Sequence, residues 1–264
     1  MQNTRQSAAN SEDLRVKAWL KPTDASINYV NATKLRHPNT GRWFVESDRY
    51  SRFKSTLGAR LWLRGIPGSG KTVLASTIIE DLILDNANDS ESAVIYFFFS
   101  FSDESTQKLE DMLRYLIFQL ATSHASTKHY LANLLEDCAR GTQKPHIKDL
   151  VKVFEQMIGE LRSVTVVLDA LDESNETRDL LRWITSYPVQ HCRFLLLSRS
   201  ESNIADALAT WLPPGCTITL EDEPVGEDLK AYIHYRLEVE NNLKRMKSIH
   251  TEITDVLVAK AGGM

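Results

Sequence analysis

Cysteine is scarce: Cys138, Cys192 and Cys216 stand far apart in 264 residues, with no C-x-x-C spacing. An odd, scattered count excludes a disulfide framework and a zinc ribbon, and it fits a reducing compartment. Long apolar runs are also missing. None approaches the ~20 residues of a membrane span, and the polar stretch from Met1 to Asp13 lacks the apolar core of a signal peptide. The chain therefore reads as soluble and cytoplasmic, with no membrane partner. Basic runs are absent too, and the formal net charge is -4, so no nucleic-acid partner is expected. The 7 histidines include no H-E-x-x-H pair, which removes that class of metal hydrolase. There is no internal repeat, no low-complexity segment and no nucleophilic triad spacing.

Glycine is sparse as well, which makes its clustering informative. Of 11 glycines, Gly65, Gly68 and Gly70 fall in one short stretch, within Leu-Trp-Leu-Arg-Gly-Ile-Pro-Gly-Ser-Gly-Lys-Thr-Val-Leu from Leu61 to Leu74. Gly65, Gly70, Lys71 and Thr72 fill the fixed positions of G-x-x-x-x-G-K-[ST], between an apolar strand and an apolar-periodic helix, the context that this motif requires. A loop wrapped round a β-phosphate needs inward N–H groups and close approach without Cβ atoms. The helix that follows aims its positive end at the phosphates. Lys71 supplies a mobile charge for the β- and γ-phosphates, and the Thr72 hydroxyl is placed to ligate Mg²⁺. Gly65, Pro67, Gly68, Ser69, Gly70, Lys71, Thr72 and Val73 are thus the expected nucleotide-binding set.

Along the chain, residues 1–39 read as a polar leader followed by a helical or irregular segment, with a short helix from Ser11 to Leu20. From Asp24 to Leu57 the pattern is irregular. Pro38 to Gly41 form a turn, and Trp43, Phe44, Tyr50 and Phe53 are spaced as on an amphipathic helix. These aromatics read first as core, although Thr40 and Trp43 are also placed to border the base of a nucleotide held by the loop. Thr72 to Leu84 reads as a helix and Ala93 to Phe101 as a strand buried on both faces, which implies a parallel sheet. Helices follow over Leu109 to Leu120, Thr127 to Arg140 and Ile147 to Leu161.

Ser163 to Leu168 is a β-branched strand that ends in Asp169-Ala170-Leu171-Asp172-Glu173. Carboxylates at the C-terminal end of a buried strand emerge in the crevice where open α/β sheets bind ligands. Asp169 has the position of a Mg²⁺-orienting residue, and Asp172 or Glu173 of one that polarises a water. The alternative is a charged turn that caps a helix from Glu176 to Tyr187. Arg193 to Leu197 is a further strand, ending in Ser198-Arg199. There Arg199 reads as a γ-phosphate sensor, or else as the partner of a local carboxylate such as Glu201. A helix near Ile204 to Trp211, a Pro213-Pro214-Gly215 turn, a strand from Thr217 to Leu220 and helices over Val225 to Leu243 and Glu252 to Ala261 complete the pattern.

With these residues in place the chain resembles the NACHT-type NTPase module of STAND signalling proteins, above all the nephrocystin-3-like N-terminal domain of fungal NOD-like receptors. The resemblance rests on Thr40-Gly41-Arg42-Trp43, the loop from Leu61 to Thr72, the aromatic strand through Phe97 to Phe101, Asp169 to Glu173, and Ser198-Arg199. It implies a three-layer α/β P-loop NTPase sandwich, with a mostly parallel five-stranded sheet in the order 5-1-4-3-2 and a C-terminal helical segment. Residues 40–222 are then the NTPase domain, and 223–264 the start of a truncated helical subdomain. The resemblance further implies ATP/ADP and Mg²⁺ as cofactors and slow hydrolysis, with Asp172, Glu173 and Arg199 in catalysis and Thr72 and Asp169 at the metal. Self-association governed by nucleotide state, and effector or repeat domains outside this chain, are implied too. ATP is preferred over GTP because no Asn-Lys-x-Asp or Thr-Lys-x-Asp run occurs. Two other readings stay open: a P-loop ATPase of the motor or nucleic-acid-remodelling kind, and a scaffold stabilised by nucleotide without hydrolysis.

Overall fold

The apolar runs become strands because their side chains alternate between two buried faces. In β4 (Cys192–Ser198), Cys192, Phe194 and Leu196 join one core while Leu195 and Leu197 join another. β3 (Ser163–Asp169) does the same, with Val164, Val166 and Leu168 on one side and Val167 on the other. A strand buried on both faces belongs in the middle of a parallel sheet covered by helices. That is its place in the computed structural model, which describes residues 14–138, 141–187, 192–223, 225–240, 243–244 and 250–261. β1 (Arg60–Arg64), β2 (Ser92–Phe98), β3, β4 and β5 (Thr217–Thr219) form one all-parallel sheet in the order β2-β3-β4-β1-β5. Read from the other edge this is 5-1-4-3-2, as expected. The loop-bearing strand lies beside β4, with Leu63 opposite Leu197 and Arg64 opposite Ser198.

Helices cover both faces. α5 (Lys71–Asp85) turns Leu74, Ile78, Ile79 and Leu82 into the core that also takes Phe44, Tyr50 and Phe53 from α3 (Arg42–Val45) and α4 (Asp48–Ser55). The opposite face is covered by α6 (Leu109–Ser123), α8 (Ile147–Gly159), α9 (Thr177–Ser186) and α10 (Ser202–Ala209), with α7 (Lys128–Asp137) against α6 and α8. The same core includes Val16 and Leu20 of α1 (14–20) and Ala25, which precedes α2 (Ser26–Leu35). α11 (Val225–Val239) and α12 (His250–Ala261) pack on each other beyond the last strand.

Four expectations differ in detail. β2 ends at Phe98 rather than Phe101, and Phe101 is exposed. The segment read as irregular contains α2, whose only buried residue is Ala32. Asp137 ends α7, and the expected end at Arg140 lies outside the described residues, as does the expected start at Ser11. α11 stops at Val239, short of Leu243.

Candidate functional site

The loop 65–70 connects β1 to α5 at the C-terminal edge of the sheet. Gly68 and Gly70 have φ of +79° and +81°, the left-handed region that glycine enters without strain. Gly65 is closely approached: a Cβ there would lie 2.5 Å from Ser69 Oγ and 3.1 Å from Glu221 Oε1, so those side chains would have to shift. Pro67, Gly68 and Gly70 are exposed along the rim, and Ser69 and Val73 half-buried. Lys71 curls back over the loop, its Nζ donating to the carbonyls of Gly65 and Ile66 at 2.8 Å each. Burial pushes its pKa down, while the Asp172 and Asp169 carboxylates act against that shift. With Ser69 Oγ at 3.4 Å as a third, the ammonium is held by neutral acceptors, with carboxylates near but not bonded to it.

Asp169 ends β3 almost completely buried, and its Oδ1 has no hydrogen-bond partner. Burial pushes its carboxyl up to about 6, against the pull of the Thr72 hydroxyl and the Lys71 charge. An orphaned buried carboxylate oxygen beside an exposed threonine hydroxyl is the donor set of a hard, oxygen-seeking cation that completes its shell with water and phosphate. The chemistry of these two groups therefore fits a cation of the Mg²⁺ kind.

Immediately after Asp169 the chain reverses through Ala170, a non-glycine residue at φ +62°. Such a conformation costs on the order of 1–3 kcal/mol and persists only where surroundings enforce it. The short 3₁₀ turn Leu171–Glu173 follows. Asp172 is buried: Oδ1 accepts the Arg199 backbone N–H at 2.9 Å, and Oδ2 pairs with Arg199 Nε at 3.1 Å. Arg199 thus pairs with Asp172, and not with Glu201. Its side chain is 40% exposed, and the guanidinium stands 6.0 Å over the Phe101 ring. Glu173 Oε2 accepts the Phe101 N–H at 3.0 Å. The two acids read as water-polarising groups are engaged with Arg199 and with the chain after β2. Ser198, at the tip of β4, accepts the Trp62 indole N–H at 2.9 Å.

The turn before the loop is fixed separately. Thr77 Oγ1 of α5 donates to the Thr40 carbonyl at 3.0 Å, and a Cβ on Gly41 (φ +79°) would lie 2.8 Å from Leu74 Cδ1. Phe44, Tyr50 and Phe53 are core, whereas Trp43 is half-buried and walls a cleft of about 270 Å³ with Phe44, Ser47, Arg49, Ile218 and Glu223. A larger cleft of about 470 Å³, between α7 and α8, includes none of the site residues.

Two residues at the site escape sequence reasoning. Glu221, just past β5, accepts the Ile66 N–H with Oε1 and so anchors the start of the loop. The rule that found Asp169, an acid at the C-terminal end of a sheet strand, applies to it equally. Asp228 Oδ2 accepts the Gly41 N–H at 2.7 Å and the Trp43 indole N–H at 3.2 Å. Burial raises its pKa, and these two donors lower it. No local pattern announces a contact across so many residues.

The turn at Thr40, the loop, Asp169 to Glu173 and Arg199 all lie within a stretch matched in known proteins. Residues 39–199 match the family described as Nephrocystin 3, N-terminal. Vegetative incompatibility protein HET-E-1 of Podospora anserina is 24% identical over 231 residues, covering 84% of this chain and 17% of that protein. The chain thus spans under a fifth of that relative's length. The family match takes in more than half of the chain, from the turn that holds Thr40 to Arg199, and the chain belongs to the Nephrocystin 3, N-terminal family, a NACHT-related α/β module.

Proposed function

We propose that this chain is the nucleotide-binding switch of a larger signalling protein, taking ATP and ADP with Mg²⁺ and hydrolysing ATP slowly. The observation that carries the reading is the pairing of Lys71, its ammonium resting on two carbonyls, with the orphaned buried Oδ1 of Asp169. Polyphosphate oxygens would replace the carbonyl acceptors of Lys71 with charged ones, a gain in hydrogen-bond strength. Thr72 and Asp169 would hold Mg²⁺, which when bound neutralises charge between phosphates. Gly68 to Val73 would offer backbone N–H groups at the start of α5, Thr40 and Trp43 would border the base, and Arg199 would turn to the terminal phosphate. The small share of the relative that is matched supports a module within a larger, multidomain protein, in which nucleotide state would govern self-association.

Purified chain should melt higher with ATP and Mg²⁺, and Lys71→Ala should not. Ligand at a hundredfold its Kd stabilises by about 2.7 kcal/mol, which for a chain of this size is a shift of roughly 5–10 °C. No shift in the parent, or an equal shift in the variant, would sink the reading. A second reading, a scaffold stabilised by nucleotide without hydrolysis, is favoured by the partners that Asp172 and Glu173 already have. Single-turnover conversion of ATP to ADP separates the two, and stimulation by nucleic acid would instead point to a motor.

A further inference from the structure

Asp228 lies in the first turn of α11, where an acid is favourable beside the helix N-terminus alone. That does not account for its bonds. One carboxylate oxygen gathers two N–H donors from the Asn39–Trp43 turn: the Gly41 amide at 2.7 Å and the Trp43 indole at 3.2 Å. The turn passes through two left-handed residues, Asn39 at φ +74° and Gly41 at φ +79°, and its other side is pressed on α5 through Thr77 Oγ1 to the Thr40 carbonyl and through Leu74. Two further contacts tie residues on either side of the turn to the C-terminal segment: Arg49 Nη1 of α4 to Glu223 Oε1 at 2.6 Å, and the His37 ring 5.0 Å from the Tyr235 ring. The turn is therefore clamped between the helix that begins at the loop and the helix that begins the C-terminal segment. Asp228 is the α11 residue that bonds its backbone.

We infer that Asp228 is a positioning residue that couples α11 to nucleotide retention, by holding Thr40 and Trp43 in the shape that borders the base. The inference rests on the nucleotide-binding reading. Coupling of this kind is reciprocal: bound nucleotide fixes the turn and so holds α11, and a force that draws α11 away loosens the turn and speeds nucleotide release. Hydrogen bonds to a charged acceptor are the strong kind, so loss of both should be readable as a rate.

The test uses the whole chain with Asp228→Ala and Asp228→Asn, measuring the release of ADP·Mg²⁺ and ATP·Mg²⁺ and amide exchange across 65–73 and 225–239 with and without nucleotide. Asp228→Ala should release nucleotide about tenfold faster. Its α11 exchange should no longer respond to nucleotide, while the loop stays protected. Asp228→Asn keeps one oxygen able to accept both N–H groups, so it should stay within about threefold of the parent and keep the response. If Asp228→Ala does not fold, Trp43→Phe removes the indole donor alone and should speed release by a few fold. Parental release rates in Asp228→Ala, or failure of Asp228→Asn to restore the response, would overturn the coupling alone. A parent that shows no nucleotide protection of the loop would overturn the nucleotide-binding reading and this inference with it.

Discussion

Asp169 shows how a single side chain carries both stability and binding. Its carboxyl is raised from 3.8 to about 6 by burial, so the folded form holds its proton more tightly than the unfolded chain does. The unfolded state releases that proton first as pH rises, so the contribution of this group to stability is greatest below about pH 4. It falls between about pH 4 and 6 and stays low above, with about 3 kcal/mol lost in all. Asp169→Asn removes the charge and should be the more stable protein near pH 7 without nucleotide, the difference shrinking towards about pH 4. With ATP and Mg²⁺ the order should reverse, because only the parent offers the cation a charged ligand. Urea unfolding at several pH values, with and without Mg²⁺ and ATP, measures both halves. A variant no more stable than the parent near pH 7 would show that the carboxylate is not penalised. The sequence made Asp169 legible through its place at the end of a β-branched run. It left open what Asp172 and Glu173 touch, because the Asp172–Arg199 pair and the Glu173–Phe101 bond depend on how β2, β3 and β4 align.

Among the elements, those that match their reading bury a continuous pattern. β3 and β4 are buried at every position, and α6 buries the stripe Leu109, Met112, Leu113, Leu116, Ile117 and Leu120. α2 was not legible for the opposite reason. Its apolar residues Ile27, Val30 and Leu35 are exposed and only Ala32 is buried, so no stripe marks it. The end of β2 was overread because Phe99 and Phe101 continue the aromatic run, although pairing stops where Phe98 meets Asp169. β4 is the element on which loop and acids both depend, since β1 and β3 pair with its two edges. Leu195, wholly buried between them, makes the point testable. Leu195→Ala should destabilise by about 2–5 kcal/mol, lowering the denaturation midpoint without changing its slope. A loss under about 1 kcal/mol would mean that the sheet centre repacks freely.

At the scale of the whole molecule the family match begins at Asn39, yet the packing begins earlier. Leu20 and Ala25 are buried in the core that covers one face of the sheet, and Tyr29 lies 5.0 Å from Tyr96 and 6.4 Å from Phe98, ring to ring, against β2. Polar ties run the same way: Arg114 Nη1, in a nearly buried side chain, donates to the Leu20 carbonyl at 2.9 Å, Trp19 Nε1 to the Gln143 carbonyl at 2.8 Å and Thr23 Oγ1 to the Ser105 carbonyl at 2.8 Å. A fragment of residues 39–264 would expose the faces that Val16, Leu20 and Tyr29 cover and leave the Arg114 guanidinium short of an acceptor. Each large apolar side chain so lost removes about 1.5–3 kcal/mol, and a buried donor left unpaired adds about 1–3 kcal/mol. The sum, about 5 kcal/mol or more, is comparable to the whole stability of many domains. The fragment should therefore melt at least about 10 °C below the full chain, or fail to accumulate as folded protein. Circular dichroism of the two proteins decides it. Equal melting of the 39–264 fragment and the full chain would mean that these contacts add nothing to the core.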